Sequence, residues 1–364
     1  MTPAETIGIP WPEFNEGLTY HDVVSSSDSG LSLIEFYSTK HKSSAPLQGW
    51  LLRIQNGQVM IDGETVTDPN LILRDGSELV YHRLPWKEPE APYLLEVLYK
   101  DDDMIALNKP AGLQVLPGGL FQQRTVLTQL QWHANKNTIY PAQEVHPVPV
   151  HRLGRGTSGV LLCAKTKRAK SCLAAYFADG TLSVRGKRDM HSDLGVERRI
   201  TKIYRALVKG IIDMNEVVID QPIGTMRYPG VARGLYVALA SGKPALSKVR
   251  VLERDVKKDQ TLVQVEIQSG RPHQIRIHLS FIGHPLLGDP LYVAGGQPNC
   301  FGSELVDGSF AEDGGYQRPA KPVPGDCGYH LHAHEVTLSH PTTNEVIKII
   351  APLPSMLQSV EEAR

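Results

Sequence analysis

The chain has no surplus of positive charge: 38 Lys and Arg face 39 Asp and Glu, a formal net charge of −1 over 364 residues. No global basic field therefore advertises nucleic acid, and a claim of that kind has to rest on local patches. Cysteine is scarce. Cys163, Cys172, Cys300 and Cys327 show no C-x-x-C spacing, so they read as reduced structural thiols, not a disulfide framework. No run approaches the ~18 apolar residues of a membrane span. Met1 to Gly17 carries Glu5, Glu13 and Glu16 but no Lys or Arg, unlike a signal peptide or an Arg-rich transit peptide. The expected compartment is cytoplasm or nucleus. What is present in quantity is Gly (32) and Pro (26), which points to many turns and a strand-rich chain. The length allows two or more domains.

Residues 1–30 read as an N-terminal extension with Pro-rich and Ser-rich stretches. From Leu31 to His41, and again from Leu47 to Ile54, the apolar spacing is helical. Gln58 to Val66 reads as strand, turn and strand around Asp62-Gly63, a favoured hairpin dipeptide. Residues 31–83 thus form a small α+β unit, and the prolines of 84–93 mark a linker. Strand-like runs follow at Leu95–Tyr99, Met104–Leu107, Val160–Ala164, Ile203–Val208, Thr261–Ile267 and Val346–Ala351. Helical spacing is clearest at Ala169–Phe177 and around His273–Ile282. The texture of 94–356 is α+β with a large, mostly antiparallel sheet, and 357–364 is a tail.

Two clusters imitate metal sites. Asp101, Asp102 and Asp103 are consecutive and cannot all face one ion, so they read as a turn between two strands. His330, His332 and His334 share one face of a strand, but no Cys or carboxylate is placed with them. No metal is expected.

The most informative segment is His151-Arg-Leu-Gly-Arg-Gly-Thr-Ser-Gly159. Gly154, Gly156 and Gly159 satisfy the G-x-G-x-x-G pattern of a dinucleotide loop. That loop needs a strand before it and a helix after it, so that helix N-terminal amides face the pyrophosphate. Here His146-Pro-Val-Pro-Val150 allows at most a short edge strand, and Val160 to Ala164 is β-rich. The elements come in the wrong order for a nucleotide.

The same nonamer resembles the active-site signature His-Arg-Leu-Asp-x-x-Thr-Ser-Gly of the RluA-type RNA pseudouridine synthases. Asn108-Lys-Pro-Ala-Gly-Leu113, the Tyr204 strand Lys202 to Gly210, Gly242-Lys-Pro-Ala245 and Ser269 to His278 match further motifs of that family. So do Gly283-His-Pro, Gly288-Asp-Pro-Leu-Tyr292, Leu331-His-Ala and His340-Pro341. The resemblance runs from about Leu94 to Pro354. Residues 31–83 resemble, by pattern, the small RNA-binding module named after ribosomal protein S-four.

The resemblance implies a pseudouridine-synthase fold and the isomerisation of uridine in structured RNA, by base flipping and rearrangement of the glycosidic bond. It implies RNA, most readily rRNA or tRNA, as partner, with no metal or organic cofactor. Arg152 occupies the position whose guanidinium can fill the vacated place in the base stack. Tyr204 aligns with the tyrosine that stacks on the target base, and Ile275 with an apolar wall. Arg276 aligns with the basic residue that pairs with the catalytic aspartate; Arg271 is the other candidate, better suited to a backbone phosphate. Arg155, Arg271, Lys109, His273 and Lys202 are expected to contact RNA. Lys165 to Lys209 holds twelve Lys or Arg against four Asp or Glu, a local excess of eight.

Gly154 stands where the family has its aspartate, and glycine has no atom that can act as nucleophile or base. No acid occurs from His151 to Thr166. Asp289 and Asp101 to Asp103 lie where active members commonly carry acids as well, which makes them weak substitutes. Arg276 is expected to lack its carboxylate. Two outcomes remain open: an active isomerase, or a catalytically silent RNA-binding or RNA-folding protein on the same scaffold.

Overall fold

The computed structural model describes residues 5–42, 44–136, 146–183, 200–228, 231–299, 310–319 and 326–364. Strands β1 (Thr6–Ile7) and β2 (Leu18–Val23) precede helices α1 (Leu33–Lys40) and α2 (Leu47–Gln55). Ser32 caps α1 reciprocally: its hydroxyl accepts from the Glu35 amide, while the Glu35 carboxylate accepts from the Ser32 amide. Strands β3 (Val59–Ile61) and β4 (Glu64–Val66) pair antiparallel. They turn through Asp62 and Gly63, both at positive φ as a two-residue primed turn requires. With β5 (Glu78–Arg83) they complete a four-stranded sheet in the order β2-β5-β3-β4. Leu33, Phe36, Trp50, Ile54 and Leu79 are buried between that sheet and its helices.

The chain continues through β6 (Leu95–Lys100), β7 (Met104–Lys109), α3 (Val126–Lys136), β8 (Val148–Pro149), β9 (Ser158–Ala164) and α4 (Lys167–Ser183). Next come β10 (Ile200–Lys209), β11 (Glu216–Ile219) and the hairpin of β12 (Ile223–Tyr228) with β13 (Val231–Ala238). After β14 (Ser247–Asp255), β15 (Gln260–Ile267) and α5 (Gln274–Phe281) lie the short pairs β16 (Tyr292–Ala294) with β17 (Gln297–Pro298) and β18 (Phe310–Glu312) with β19 (Gln317–Pro319). Strands β20 (Leu331–Ser339) and β21 (Val346–Ile350) end the list of strands.

Eleven of the described strands form one sheet, with the path β1-β6-β7-β9-β20-β10-β15-β14-β11. Its pairs are antiparallel except β9 with β20, which run parallel with Ser158 opposite His332 and Gly159 opposite Ala333. Both faces are covered, and period-two alternation along β9 shows it. Val160, Leu162 and Ala164 pack with Ala169, Leu173 and Tyr176 of α4. Leu161 and Cys163 pack on the other face with Val126 and Leu130 of α3. The α+β architecture read from the sequence is therefore the one observed.

The parallel pair positions the site. Two parallel neighbours enter a sheet at the same edge, so the segment before β9 (151–157) and the segment before β20 (326–330) lie side by side. About 170 residues separate them in the chain.

Candidate functional site

The nonamer forms a turn that leads from the two-residue edge strand β8 into central β9. His151 anchors its start: Nε2 accepts the Leu162 amide at 2.9 Å, and the ring stacks on Phe177 with centroids 4.5 Å apart. Burial, with Lys202 nearby, pushes its pKa down to about 3, so the imidazole is neutral. The Thr157 amide donates to the Gly154 carbonyl at 3.0 Å and closes the turn. The Ser158 hydroxyl meets His332 Nδ1 at 2.8 Å across the parallel pair.

The glycines are spent on close packing. Gly159, at φ +104°, lies against the backbone of Ala333. A Cβ on Gly156 would sit 2.7 Å from the Asp326 carbonyl, and one on Gly154 would sit 2.8 Å from the Tyr329 hydroxyl. Gly154 itself is exposed and free of positive φ, so its backbone tolerates any L residue. Only the phenol of Tyr329 stands in the way. That phenol lies 3.2 Å from the Thr157 hydroxyl, and burial raises its pKa.

Around the turn opens a cavity of 660 Å³, within the roughly 300–1,000 Å³ usual for small-ligand sites. Arg152, Gly154, Arg155, Tyr204, Arg271, His273, Ile275 and Arg276 all line it. Tyr204 comes from β10 at a register shift against β20. It is nearly buried, and burial pushes its pKa up to about 12. Arg276 and Ile275 come from the first turn of α5. His273, the residue before that helix, adopts a left-handed conformation at φ +55° and meets the Tyr292 hydroxyl at 2.9 Å. Burial, and then Arg276, lowers the His273 pKa to about 4, so it too is neutral. Arg152 is exposed and makes no hydrogen bond or ion pair among the described residues.

A model of the RNA pseudouridylate synthase family matches residues 103–281. A protein of Arabidopsis thaliana named RNA pseudouridine synthase 5 is 67% identical over 363 residues, covering 98% of both chains. Its namesake in Oryza sativa subsp. japonica is 64% identical, covering 98% of this chain and 92% of its own. The ribosomal large subunit pseudouridine synthase D of Vibrio parahaemolyticus is 32% identical, covering 88% of this chain and 86% of its own. The chain belongs to the RNA pseudouridine synthase family.

Several residues of this pseudouridine synthase family member differ from expectation. Arg276 does not lack a carboxylate. Its Nε and Nη2 each donate at 2.7 Å to Asp289, which is buried with it, and its guanidinium stacks 4.2 Å above the Tyr329 ring. The sequence alone does not supply this pairing, because residue order does not mark Asp289 as the acid that shares the buried space of Arg276. Its role is to neutralise the arginine. One nitrogen, Nη1, remains buried without a partner among the described residues.

Lys109, expected to contact RNA, faces neither solvent nor the cavity. It is fully buried and donates to the carbonyls of Pro110, Leu113 and Arg155 at 2.8, 2.7 and 3.1 Å, tying the Asn108-Lys-Pro motif to the glycine turn. Burial draws its pKa down to about 7. Lys202 is likewise buried, 5.5 Å from the Phe177 ring centroid, with a pKa lowered to about 8. Neither is exposed to solvent. The counted basic excess is weaker than it looked, since Arg205 is also buried and paired with Glu362 at 2.6 Å. Arg185 to Arg188 lie outside the described residues. Arg271 lines the cavity while its Nε donates to the Pro244 carbonyl at 3.0 Å.

The acidic run Asp101 to Asp103 forms the turn between two strands that the sequence suggests. Asp101 accepts from the amides of Asp103 and Met104 at 2.8 Å each, as a strand-to-strand turn does. His334 Nδ1 meets the Ala351 carbonyl at 2.9 Å. Among the described residues no group of three or more His, Cys, Asp or Glu is arranged to hold a metal ion. No helix among them is long and apolar enough to cross a membrane.

Sequence reasoning missed two residues, Asp326 and Tyr329. Both line the cavity, and Asp326 is the one carboxylate among its described lining residues. The available signal was their place just before Leu331-His-Ala, a motif that had been read as starting at Leu331.

Proposed function

We propose that the cavity isomerises uridine to pseudouridine in structured RNA, with rRNA or tRNA as the substrate class. The observation that carries this reading is the convergence of Arg152, Tyr204, Ile275 and Arg276 on one cavity beside the glycine turn. Exposed Arg152 takes the place of the extruded base in its stack, at a site where unstacking costs a few kcal/mol. The Tyr204 ring carries the base, which rests against Ile275. The spare Nη1 of Arg276 is a buried, unsatisfied donor and gains a hydrogen bond when a substrate oxygen arrives. Arg271 contributes a phosphate contact. The reading invokes neither a metal nor an organic cofactor.

Isomerisation replaces the C5–H bond of uridine by a C5–C1′ bond, so RNA tritiated at uridine C5 releases its label to water. Purified protein is incubated with unmodified rRNA and tRNA transcripts labelled in this way. Release, with carbodiimide mapping of the product at a defined position, is the expected outcome. Tyr204→Ala should abolish it. RNA bound tightly without release would instead assign the chain a silent binding role.

A further inference from the structure

The isomerase reading requires a carboxylate, or its equivalent, to act on the sugar, and residue 154 cannot supply one. Asp289 is consumed below the cavity: both its oxygens face Arg276, and Oδ1 also accepts the Leu291 and Tyr292 amides at 2.9 and 3.1 Å. Asp101 and Asp103 bond to His340 and Thr166 and do not line the cavity. The Tyr329 phenol occupies the place where a side chain at 154 would begin. Burial keeps it protonated near neutrality, which makes it a poor nucleophile or base.

Asp326 differs from all of these. Its side chain is about half exposed and lines the cavity. Arg155, the neighbour of Gly154, holds it through Nε at 2.9 Å and Nη2 at 2.6 Å. Both contacts fall on Oδ1, so Oδ2 is not committed to that arginine. The guanidinium is itself fixed 4.9 Å from the Phe121 ring centroid. The glycines of the turn admit the whole segment: Gly156 makes room for the Asp326 backbone and Gly154 for the Tyr329 hydroxyl. The loss of a side chain at 154 and the entry of a carboxylate three residues from Tyr329 are thus one packing solution.

We propose that Asp326 is the catalytic carboxylate of this chain, replacing in space the group that Gly154 lacks. The proposal rests on the isomerase reading. Its Oδ2 bonds to C1′ of the flipped nucleotide as the N1–C1′ bond breaks and its electron pair leaves on the uracil ring. The ring turns, C5 bonds to C1′, and the carboxylate departs with its own electron pair. The proton lost from C5 is matched by the one gained at N1, so the net change is isomerisation.

The test compares single-turnover tritium release from the same transcripts by wild type, Asp326→Asn and Asp326→Glu, with RNA affinity measured by filter retention. Asp326→Asn should lower release by about 10²-fold or more, while RNA affinity holds. Asp326→Glu, which keeps a carboxylate, should release measurably. If Asp326→Asn fails to fold, a rate for Asp326→Glu equal to that of wild type at every pH counts against a direct role. Wild-type release that survives Asp326→Asn overturns this assignment and leaves the isomerase reading standing. RNA bound without release by wild type overturns both.

Discussion

In the four-stranded sheet and its helices, Arg53 and Arg83 are buried and both meet the buried carboxylate of Asp313, from the segment after β18. Arg53 also lies 5.0 Å from the Trp50 ring centroid, and Arg83 lies 3.8 Å from that of Trp86. At the cleft, Arg152 is exposed and Arg276 keeps one donor unsatisfied. The same residue type serves packing in one region and is left available in the other. Residues 18–83 hold five Lys or Arg against eight Asp or Glu, and burial of two of the five leaves Lys40, Lys42 and Arg74 outside. Lys40 is in turn paired with Asp28. A region that resembles an RNA-binding module by its order of elements therefore offers few cations to a phosphate backbone. The cleft, in a chain of almost no net charge, offers them at the proposed site. Position, not composition, separates the two.

The comparison can be broken most forcefully at Asp313. Asp313→Ala strands two buried guanidiniums, and loss of one partner of a buried pair costs about 3–5 kcal/mol. Denaturant unfolding should show a loss of that size, and a change below about 1 kcal/mol would mean the two arginines do not depend on it.

Acid should act next. Burial lowers the pKa values of His278 and His332 to about 4. Between pH 6.5 and 4 the unfolded chain binds protons that these folded histidines refuse, so their contribution is complete above pH 6.5 and falls on acidification. Each loses at most about 1.4 kcal/mol per pH unit. A denaturant midpoint that stays flat from pH 6.5 to 5 would contradict this.

Smaller effects separate the cleft's cations from its neutral groups. Arg152→Ala should leave stability within about 0.5 kcal/mol, lower RNA affinity, and reduce the salt slope of binding by about one. His273→Gln should leave the slope unchanged, because the imidazole is uncharged. The smallest effect is expected outside the cleft. Arg74→Ala, in the segment between β4 and β5, should leave both affinity and slope as they were. An equal loss from Arg74→Ala and Arg152→Ala would erase the contrast between the two regions.

Much was legible along the chain because it depends on neighbours. The α1 capping box, the Asp62-Gly63 turn and the alternation of β9 are local features with local causes. The order of elements around the nonamer likewise excluded a phosphate loop, and the two prolines before it left room only for a two-residue edge strand. Lys109 and Lys202 were misjudged because a lysine in a motif carries no mark of burial. The first is enclosed by carbonyls of two separate motifs, and the second lies under a helix. The partner of Arg276 could not be chosen among several acids without knowing which one shared its buried space.

The sequence by itself determined the family and the glycine at position 154, since both are properties of residue identity in order. Only the tertiary structure decided what faces that glycine. Parallel pairing of β9 with β20 brings Asp326 and Tyr329 to the Gly154 turn, because parallel neighbours enter the sheet at one edge whatever their distance along the chain.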